Sequence, residues 1–133
     1  MSAGSHLETV QALYAAFGRG DMPAMLALLA PDIQWDYPPS DEIPWAGSFR
    51  GHDGVNRFFA AIVGSVDFEG FEARRFLTQD DSVVVLGWEK LRVKRTGRTF
   101  ETHWTHAYTL SNGKITTFRE YTDTAAAEAA FRT

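Results

Sequence analysis

The second half of the chain reads as a series of strands joined by tight turns, and this feature constrains the fold most. Four strand-like runs cover about 67–79, 82–95, 98–110 and 114–123. The residue pairs between them are typical of hairpin turns, namely Asp80-Asp81, Thr96-Gly97 and Asn112-Gly113. Such short connections join neighbouring antiparallel strands. The second half therefore predicts a four-stranded antiparallel meander.

The first half begins with two predicted helices. Ser5 and Glu8 have the spacing of a capping box, and apolar residues then recur every three or four positions to about Phe17. Asp21 suits the cap of a second helix, because its side chain can accept a hydrogen bond from a free backbone N–H. Pro31 is expected to stop that helix.

A strand and a long loop precede a third predicted helix. The strand is marked by large residues at every second position, namely Ile33, Trp35 and Tyr37. Residues 38–52 are loop-like and rich in Pro and Gly, and Asp53 suits the cap of the helix that follows. A short alanine-rich helix closes the chain. This order predicts an α+β fold, with the meander packed on segregated helices in a single domain over residues 1–133.

Composition excludes several classes of function. The 133 residues carry 13 Lys and Arg against 17 Asp and Glu, a net charge of −4, which argues against nucleic acid as a partner. The absence of Cys excludes disulfides, thiolate nucleophiles and cysteine metal sites. Residues Met1 to His6 lack the basic start and apolar core of a signal peptide, and no apolar run approaches the ~20 residues of a membrane span. We expect a soluble, cytoplasmic protein with no membrane partner.

The turn at Thr96-Gly97 sets the register of its two strands, and the register determines which side chains share a face of the sheet. A two-residue turn there places Arg92 opposite Glu101 and Gly87 opposite His106. The inward face is then mostly apolar, and Glu89 and His106 are its two groups that could titrate near neutrality. The outer face is half apolar with a charged fringe, and it predicts a homodimer surface that includes Leu86, Trp88, His103 and Thr105.

The last hairpin allows two registers. A two-residue turn at Asn112-Gly113 puts on the face of His106 the residues Arg119, Tyr121 and Asp123. A three-residue loop over 111–113 puts there instead Phe118, Glu120 and Thr122. A shift of one residue in the register therefore decides whether Asp123 or Glu120 is the candidate carboxylate on this face.

Several short motifs occur in a familiar order. They are Gly20-Asp21, Trp35-Asp36-Tyr37-Pro38, Gly51-His52-Asp53-Gly54, Asn112-Gly113-Lys114-Ile115 and Arg119-Glu120-Tyr121-Thr122-Asp123. With these motifs the chain resembles, from about Leu7 to Phe131, the SnoaL-like branch of the nuclear transport factor 2-like superfamily, which includes ketosteroid isomerase and small polyketide cyclases. The resemblance implies a cone-shaped, cystatin-like fold: a curved antiparallel sheet on three N-terminal helices, with a short C-terminal helix. It also implies an apolar ligand at the open end, and a homodimer.

The resemblance also implies roles for individual positions. The isomerase general base falls near Tyr37, and the isomerase oxyanion tyrosine falls on Leu13, next to Tyr14, so the chain departs from the isomerase pattern. His106 stands where the cyclase branch has its catalytic His, and Glu120 stands where that branch has its acid/base Asp. This match favours the three-residue loop in the last hairpin.

These observations together predict an enzyme of isomerase, cyclase or dehydratase type that moves protons next to a carbonyl group. Its expected catalytic residues are His106, Glu120 and Tyr37. The predicted ligand is an apolar small molecule, in a pocket lined by Trp35, Trp45, Phe58, Glu89, Trp104, Tyr108 and Phe118. We expect no cofactor and no metal, because no His-Glu-x-x-His pattern occurs and His103 and His106 point to opposite faces of one strand.

Two non-catalytic functions remain open. The same cone can serve as a binding module for an apolar metabolite or a partner protein, which Tyr37 at the usual base position supports. The chain can also act as an interaction domain through the outer sheet residues Val84, Leu86 and Trp88.

Overall fold

The computed structural model describes residues 3–133, with side chains from Ser5 onward. The helices are α1 (Ala3–Arg19), α2 (Met22–Ala27), α3 (Gly51–Ser65) and α4 (Thr124–Phe131). The strands are β1 (Leu29–Tyr37), β2 (Gly47–Arg50), β3 (Val66–Gln79), β4 (Ser82–Val93), β5 (Thr99–Ser111) and β6 (Lys114–Tyr121). Within this part of the chain, no helix has both the length and the apolar character needed to cross a membrane.

All six strands form one sheet in the order β2-β1-β6-β5-β4-β3. Every neighbouring pair is antiparallel except β1 and β6, which run parallel. Irregularities in β3 after Phe68 and after Ala73 shift its register, and bulges of this kind bend a sheet. The helices α1 and α3 cover the concave face. The predicted α+β fold with a curved sheet is confirmed.

The first half matches its prediction in kind but differs at several boundaries. Helix α1 begins at Ala3, so Ser5 lies inside it rather than at its cap. Asp21 caps α2 as predicted, because its Oδ1 accepts from the Ala24 backbone N–H at 3.1 Å. Pro31 lies within β1, after α2 has already ended at Ala27.

The segment predicted as a loop contains a short strand. Residues 47–50 form β2, which pairs with the end of β1 through Trp35 opposite Phe49. Helix α3 therefore starts at Gly51, earlier than predicted, and no side chain caps it. Asp53 lies in its first turn, where a negative charge suits the helix dipole.

The register between β4 and β5 differs from the prediction by two residues. The connection is a four-residue loop closed by a hydrogen bond from the Val93 N–H to the Arg98 carbonyl at 2.8 Å, so His106 pairs with Val85 rather than Gly87. Arg92 therefore pairs with Thr99, and Glu101 pairs with Lys90. A shift of two residues keeps every side chain on its face, so the predicted inward face is still the buried one.

The last hairpin combines both of its predicted alternatives. Its turn is the two-residue Asn112-Gly113 turn, with both residues at positive φ, so the expected three-residue loop is wrong. The register then shifts at Thr116. This residue has no paired residue on β5, whereas Ile115 pairs with Leu110 and Thr117 pairs with Thr109. This bulge turns Phe118 and Glu120 inward, which is the outcome that the longer loop was expected to produce.

Candidate functional site

A cavity of about 60 Å³ lies between α1, α3 and the concave face of the sheet. Its wall is apolar and aromatic except at five groups, namely Tyr14, Glu89, His106, Tyr108 and Glu120. The cavity is partly open to the surface, and its apolar wall places these polar groups in surroundings of low polarity.

Three of these groups, Tyr108, Tyr14 and His106, are hydrogen-bonded in series, and His106 also contacts a carboxyl group on β6. The Tyr108 hydroxyl donates to the Tyr14 hydroxyl oxygen at 2.8 Å. The Tyr14 hydroxyl lies 2.7 Å from His106 Nδ1, and its own proton is left to donate to that nitrogen. On the other side of the ring, His106 Nε2 lies 3.2 Å from Glu120 Oε1, a close contact between the imidazole and the carboxyl group. The imidazole therefore lies between the Tyr14 hydroxyl and the Glu120 carboxyl group.

Burial sets the protonation of the central pair. His106 and Glu120 are each only 7% exposed. Burial lowers the pKa of His106 to about 3, so the ring is neutral at neutral pH. Burial raises the pKa of Glu120 to about 8, so this carboxyl group exchanges a proton near neutrality. Both shifts follow from the cost of placing a charge where water is excluded.

A second carboxyl group faces the same cavity. Glu89 lies on β4, and burial, followed by repulsion from Glu120, raises its pKa well above the usual range. Burial likewise raises the pKa of Tyr14 and of Tyr108, so both hydroxyls stay protonated. The cavity thus holds two carboxyl groups whose charged forms are both disfavoured, an arrangement used for acid–base chemistry.

Trp104 supports the imidazole from the side. Its ring stacks on His106 with centroids 3.8 Å apart and an interplanar angle of 14°. Space for this indole exists because the opposite residue is Gly87, where a Cβ atom would lie 2.2 Å from Trp104 Cζ2. The position of His106 therefore depends on a glycine of the neighbouring strand.

The cavity approaches the surface between α1 and β3. Phe17 and Phe68 line both the cavity and two neighbouring surface depressions. Their ring centroids are 5.6 Å apart, and Phe68 is 38% exposed. A ligand would enter the cavity here, beside these two rings.

The structure brings together most of the predicted site residues. His106 and Glu120 pair directly, and the cavity wall includes five of the predicted pocket residues: Trp35, Phe58, Glu89, Tyr108 and Phe118. Three predicted residues lie behind the wall rather than on it, namely Tyr37, Trp45 and Trp104. Tyr37 packs against Trp45 at 6.0 Å and Phe58 at 6.4 Å, because β1 directs it toward the end of the sheet covered by α4. Glu89 lies four residues from the strand partner of His106, not two, because of the changed register.

Sequence reasoning missed Tyr14 as a member of the site. It belongs to the apolar stripe of α1, and its hydroxyl reaches across to His106. The available signal was a Tyr in a stripe otherwise made of hydrocarbon side chains, because a buried hydroxyl needs a hydrogen-bond partner.

Similar proteins share this whole architecture. A solved NTF2-like protein from Burkholderia xenovorans LB400 is 37% identical, with 99% of each chain covered and a TM-score of 0.91. An uncharacterised protein of Mycobacterium tuberculosis is 28% identical over 96% of this chain and 97% of its own length. The structure of TerC, co-crystallised with polyporic acid, is 27% identical over 97% of this chain and 99% of the other, with a TM-score of 0.81.

The family assignment rests on most of the chain. Residues 10–118 match the SnoaL-like domain, a stretch that runs from α1 into β6 and includes His106, although Glu120 lies just beyond it. The nearly complete overlap with the Burkholderia structure agrees with this match. The chain belongs to the family of SnoaL-like domains.

Proposed function

We propose that this chain is an enzyme that needs no cofactor and transfers protons next to the carbonyl group of an apolar small molecule. The carrying observation is the series of contacts Tyr108–Tyr14–His106–Glu120, which ends at a carboxyl group in an apolar cavity. A general base needs to reach the proton it removes and to have a pKa near the working pH. Glu120 lines the cavity, and its pKa of about 8 lies near neutrality, which supports this role.

The geometry assigns different roles to the two members of the central pair. Both His106 nitrogens are engaged, Nδ1 with Tyr14 and Nε2 with Glu120, so His106 is a positioning residue for the carboxyl group. The Glu120 carboxyl group, which lines the cavity, would contact the substrate. Its carboxylate form would remove a proton from a carbon next to the carbonyl, and the C–H electron pair would move onto the carbonyl oxygen as an enolate. The protonated Glu120 would then return the proton to the same or another carbon.

The cavity wall supports an aromatic compound as the substrate class. One relative, the 27% identical TerC, was co-crystallised with polyporic acid. The wall of this cavity is rich in aromatic rings, with Trp35 and Phe118 stacked at 3.9 Å. Aromatic walls favour flat ligands through offset and edge contacts. Such a ligand would enter beside Phe17 and Phe68, which line the cavity.

Proton exchange tests the proposal without knowledge of the natural substrate. We would incubate the protein in D₂O with a graded series of neutral ketones, from cyclopentanone to 1-indanone, and follow loss of the α-proton signals by NMR. We expect exchange above the buffer rate that rises with pH to about 8, as Glu120 loses its proton. Glu120→Gln should lower the exchange rate about 100-fold or more.

A matched variant and a binding measurement complete the test. Glu8→Gln makes the same chemical change at an exposed position on α1 and should leave the exchange rate unchanged. Exchange that survives Glu120→Gln would contradict the proposal. Ketones that raise the melting temperature without any exchange would instead identify a non-catalytic binding module, a function that a His106 held between Tyr14 and Glu120 also allows.

A further inference from the structure

An apolar groove lies on the surface beside the cavity, between α1, α2, α3 and β3. Four residues line both the groove and the cavity, namely Phe17, Met25, Phe59 and Phe68. This entrance groove also includes residues of α2 and α3, namely Met22, Ala60 and Val63. Within the described residues its wall holds one polar side chain, Asn56, and no charged one. A ligand that extends out of the cavity here therefore meets an uncharged, apolar surface.

The entrance groove exposes an aromatic ring of the concave face. Phe68 pairs with Leu91, which is buried on that face, and Phe71 pairs with Glu89, which lines the cavity. The register shift between Phe68 and Gly70 puts these two phenylalanines, three residues apart, on the same face. Phe71 is half-buried, whereas Phe68 is 38% exposed. The helices that cover the concave face thus leave Phe68 uncovered beside the cavity.

The exposed large hydrophobic side chains fall into two groups. In the part of the chain that the structure describes, they are Val63, Phe68, Leu77 and Tyr121. Leu77 and Tyr121 lie on the outer face of the sheet, whereas Val63 and Phe68 both line the entrance groove. Clustered apolar side chains at a surface mark binding sites. A contact at the outer face would leave the second group exposed, because that group lies on the concave side.

We propose that the entrance groove binds the apolar tail of an elongated ligand whose carbonyl group lies in the cavity. The inference rests on the proposed function, which places that carbonyl group beside Glu120. The shared wall favours this occupant, because a substituent that leaves the cavity beside Phe17 and Phe68 meets the groove at once. An ionised tail would lose hydration there without gaining a counter-charge. The substrate class is thus a neutral ketone that carries an apolar chain, not a compact ketone.

A homologous series of ketones tests the groove. We would measure by calorimetric titration the affinity for 2-alkylcyclopentanones with linear chains from methyl to heptyl. Complete burial of one methylene corresponds to an affinity gain of about fourfold, and a groove that is open on one side buries about half of it. We therefore expect about twofold per added methylene, or about 60-fold from methyl to heptyl. An affinity that stays constant along the series overturns the proposal.

A matched pair of variants locates the tail. Ala60→Asp places a carboxylate in the entrance groove, and Ala12→Asp makes the same change at an exposed position of α1 outside it. The ratio of the heptyl to the methyl affinity isolates the tail, because both ketones have the same ring. We expect this ratio to fall below about fivefold in Ala60→Asp and to keep its wild-type value in Ala12→Asp. Equal ratios in the two variants overturn the proposal.

Two further measurements distinguish the occupants of the groove. In NMR spectra of the complex, the chain of 2-heptylcyclopentanone should show nuclear Overhauser effects to the methyl groups of Val63, which is 64% exposed without ligand. Effects to Leu77 or Leu86 on the outer face instead would overturn the proposal. Ala60→Asp should keep the wild-type mass in light scattering. A fall in mass would identify a second copy of the chain as the occupant and would also overturn the proposal.

The outcome is distinguishable from a failure of the proposed function. If no ketone exchanges its α-protons but affinity rises with chain length and Ala60→Asp abolishes the rise, catalysis is wrong and the tail site stands. If exchange depends on Glu120 while affinity is independent of chain length, the proposed function stands and the tail site is wrong.

Discussion

His106 Nε2 lies 3.2 Å from Glu120 Oε1 on the neighbouring strand, and the two residues are direct partners in the β5–β6 register. Residues directly opposite each other in an antiparallel pair have Cβ atoms about 5 Å apart, which brings an imidazole and a carboxyl group into contact. Tyr14 approaches from α1 on the far side of the ring, with its hydroxyl 2.7 Å from Nδ1. The imidazole is thus held at both nitrogens by two different layers of the fold.

Removing the Tyr14 hydroxyl should release one side of this imidazole. In Tyr14→Phe the buried Nδ1 loses its donor, so we expect the free energy of unfolding to fall by about 1–3 kcal/mol. The ring proton should also redistribute between the two nitrogens, which ¹⁵N NMR of His106 would detect. Tyr121→Phe removes a hydroxyl from a residue that is 54% exposed and should change neither quantity. Unchanged ¹⁵N shifts in Tyr14→Phe would show that Tyr14 does not control the tautomer.

The inward face of β4 and β5 could be predicted from the sequence, because successive side chains of a strand point to opposite faces of the sheet. An error of two residues in register left Trp104, His106 and Tyr108 on the correct face. The same argument explains why only a one-residue uncertainty, at the last hairpin, put the candidate carboxylate in question.

Other features of the site depend on contacts that no local pattern contains. The bulge at Thr116 cancels the effect of the two-residue turn, and neither Thr116 nor its neighbours mark a bulge by residue type. Tyr14 comes close to His106 only through the packing of α1 on the sheet. The pairing of β1 with β6 likewise joins distant parts of the chain, so the site could be predicted strand by strand but not as an assembly.

His106 and Glu120 should make the free energy of unfolding change with pH in opposite directions. The pKa of His106 falls from 6.5 to about 3 on folding, so the unfolded chain binds the extra proton and stability is lost as pH falls through this range. The pKa of Glu120 rises from 4.5 to about 8, so the folded chain binds the extra proton and stability is lost as pH rises through that range. The two contributions offset each other between pH 4.5 and 6.5.

The alkaline limb of this profile belongs to the carboxyl groups and is the part to test. We expect the urea midpoint of the wild type to fall between pH 6.5 and 8, and Glu120→Gln to flatten this fall. Glu8→Gln, an exposed change, should keep the wild-type profile. A wild-type midpoint that is constant over this range would mean that Glu120 is already ionised in the folded protein.

The outer face of the sheet should form a homodimer. The half-buried Leu86 pairs with Thr105, which in turn pairs with the 54% exposed Tyr121. Leu77, which is 42% exposed, pairs with Val84 two residues before Leu86 and extends this strip onto β3. Trp88 borders the strip, with its Nε1 donating to Glu101 at 3.1 Å. A charge buried at such an interface is costly, so Leu86→Glu should lower the mass measured by light scattering to that of a monomer. Val63→Glu, at a 64% exposed position on α3, should keep the wild-type mass. A Leu86→Glu variant with the wild-type mass would contradict the predicted interface.

Adding even one methyl group at Gly87 should disturb the site. The Trp104 ring, which stacks on His106, occupies the space that the methyl group would need. A Cβ atom there would lie 2.2 Å from Trp104 Cζ2 and 2.4 Å from the Glu72 carbonyl oxygen, and that oxygen is backbone and cannot move aside freely. We expect Gly87→Ala to lower the free energy of unfolding by about 1–3 kcal/mol. Trp104 would also shift from its 3.8 Å stacking on His106, which would change the ring-current shifts of the imidazole protons. Gly18→Ala offers the matched control, because it lies in α1 with no atom within 4 Å of an added Cβ and should stabilise the helix by about 0.5–1 kcal/mol. A Gly87→Ala protein with wild-type stability and unchanged imidazole shifts would show that Trp104 does not position His106.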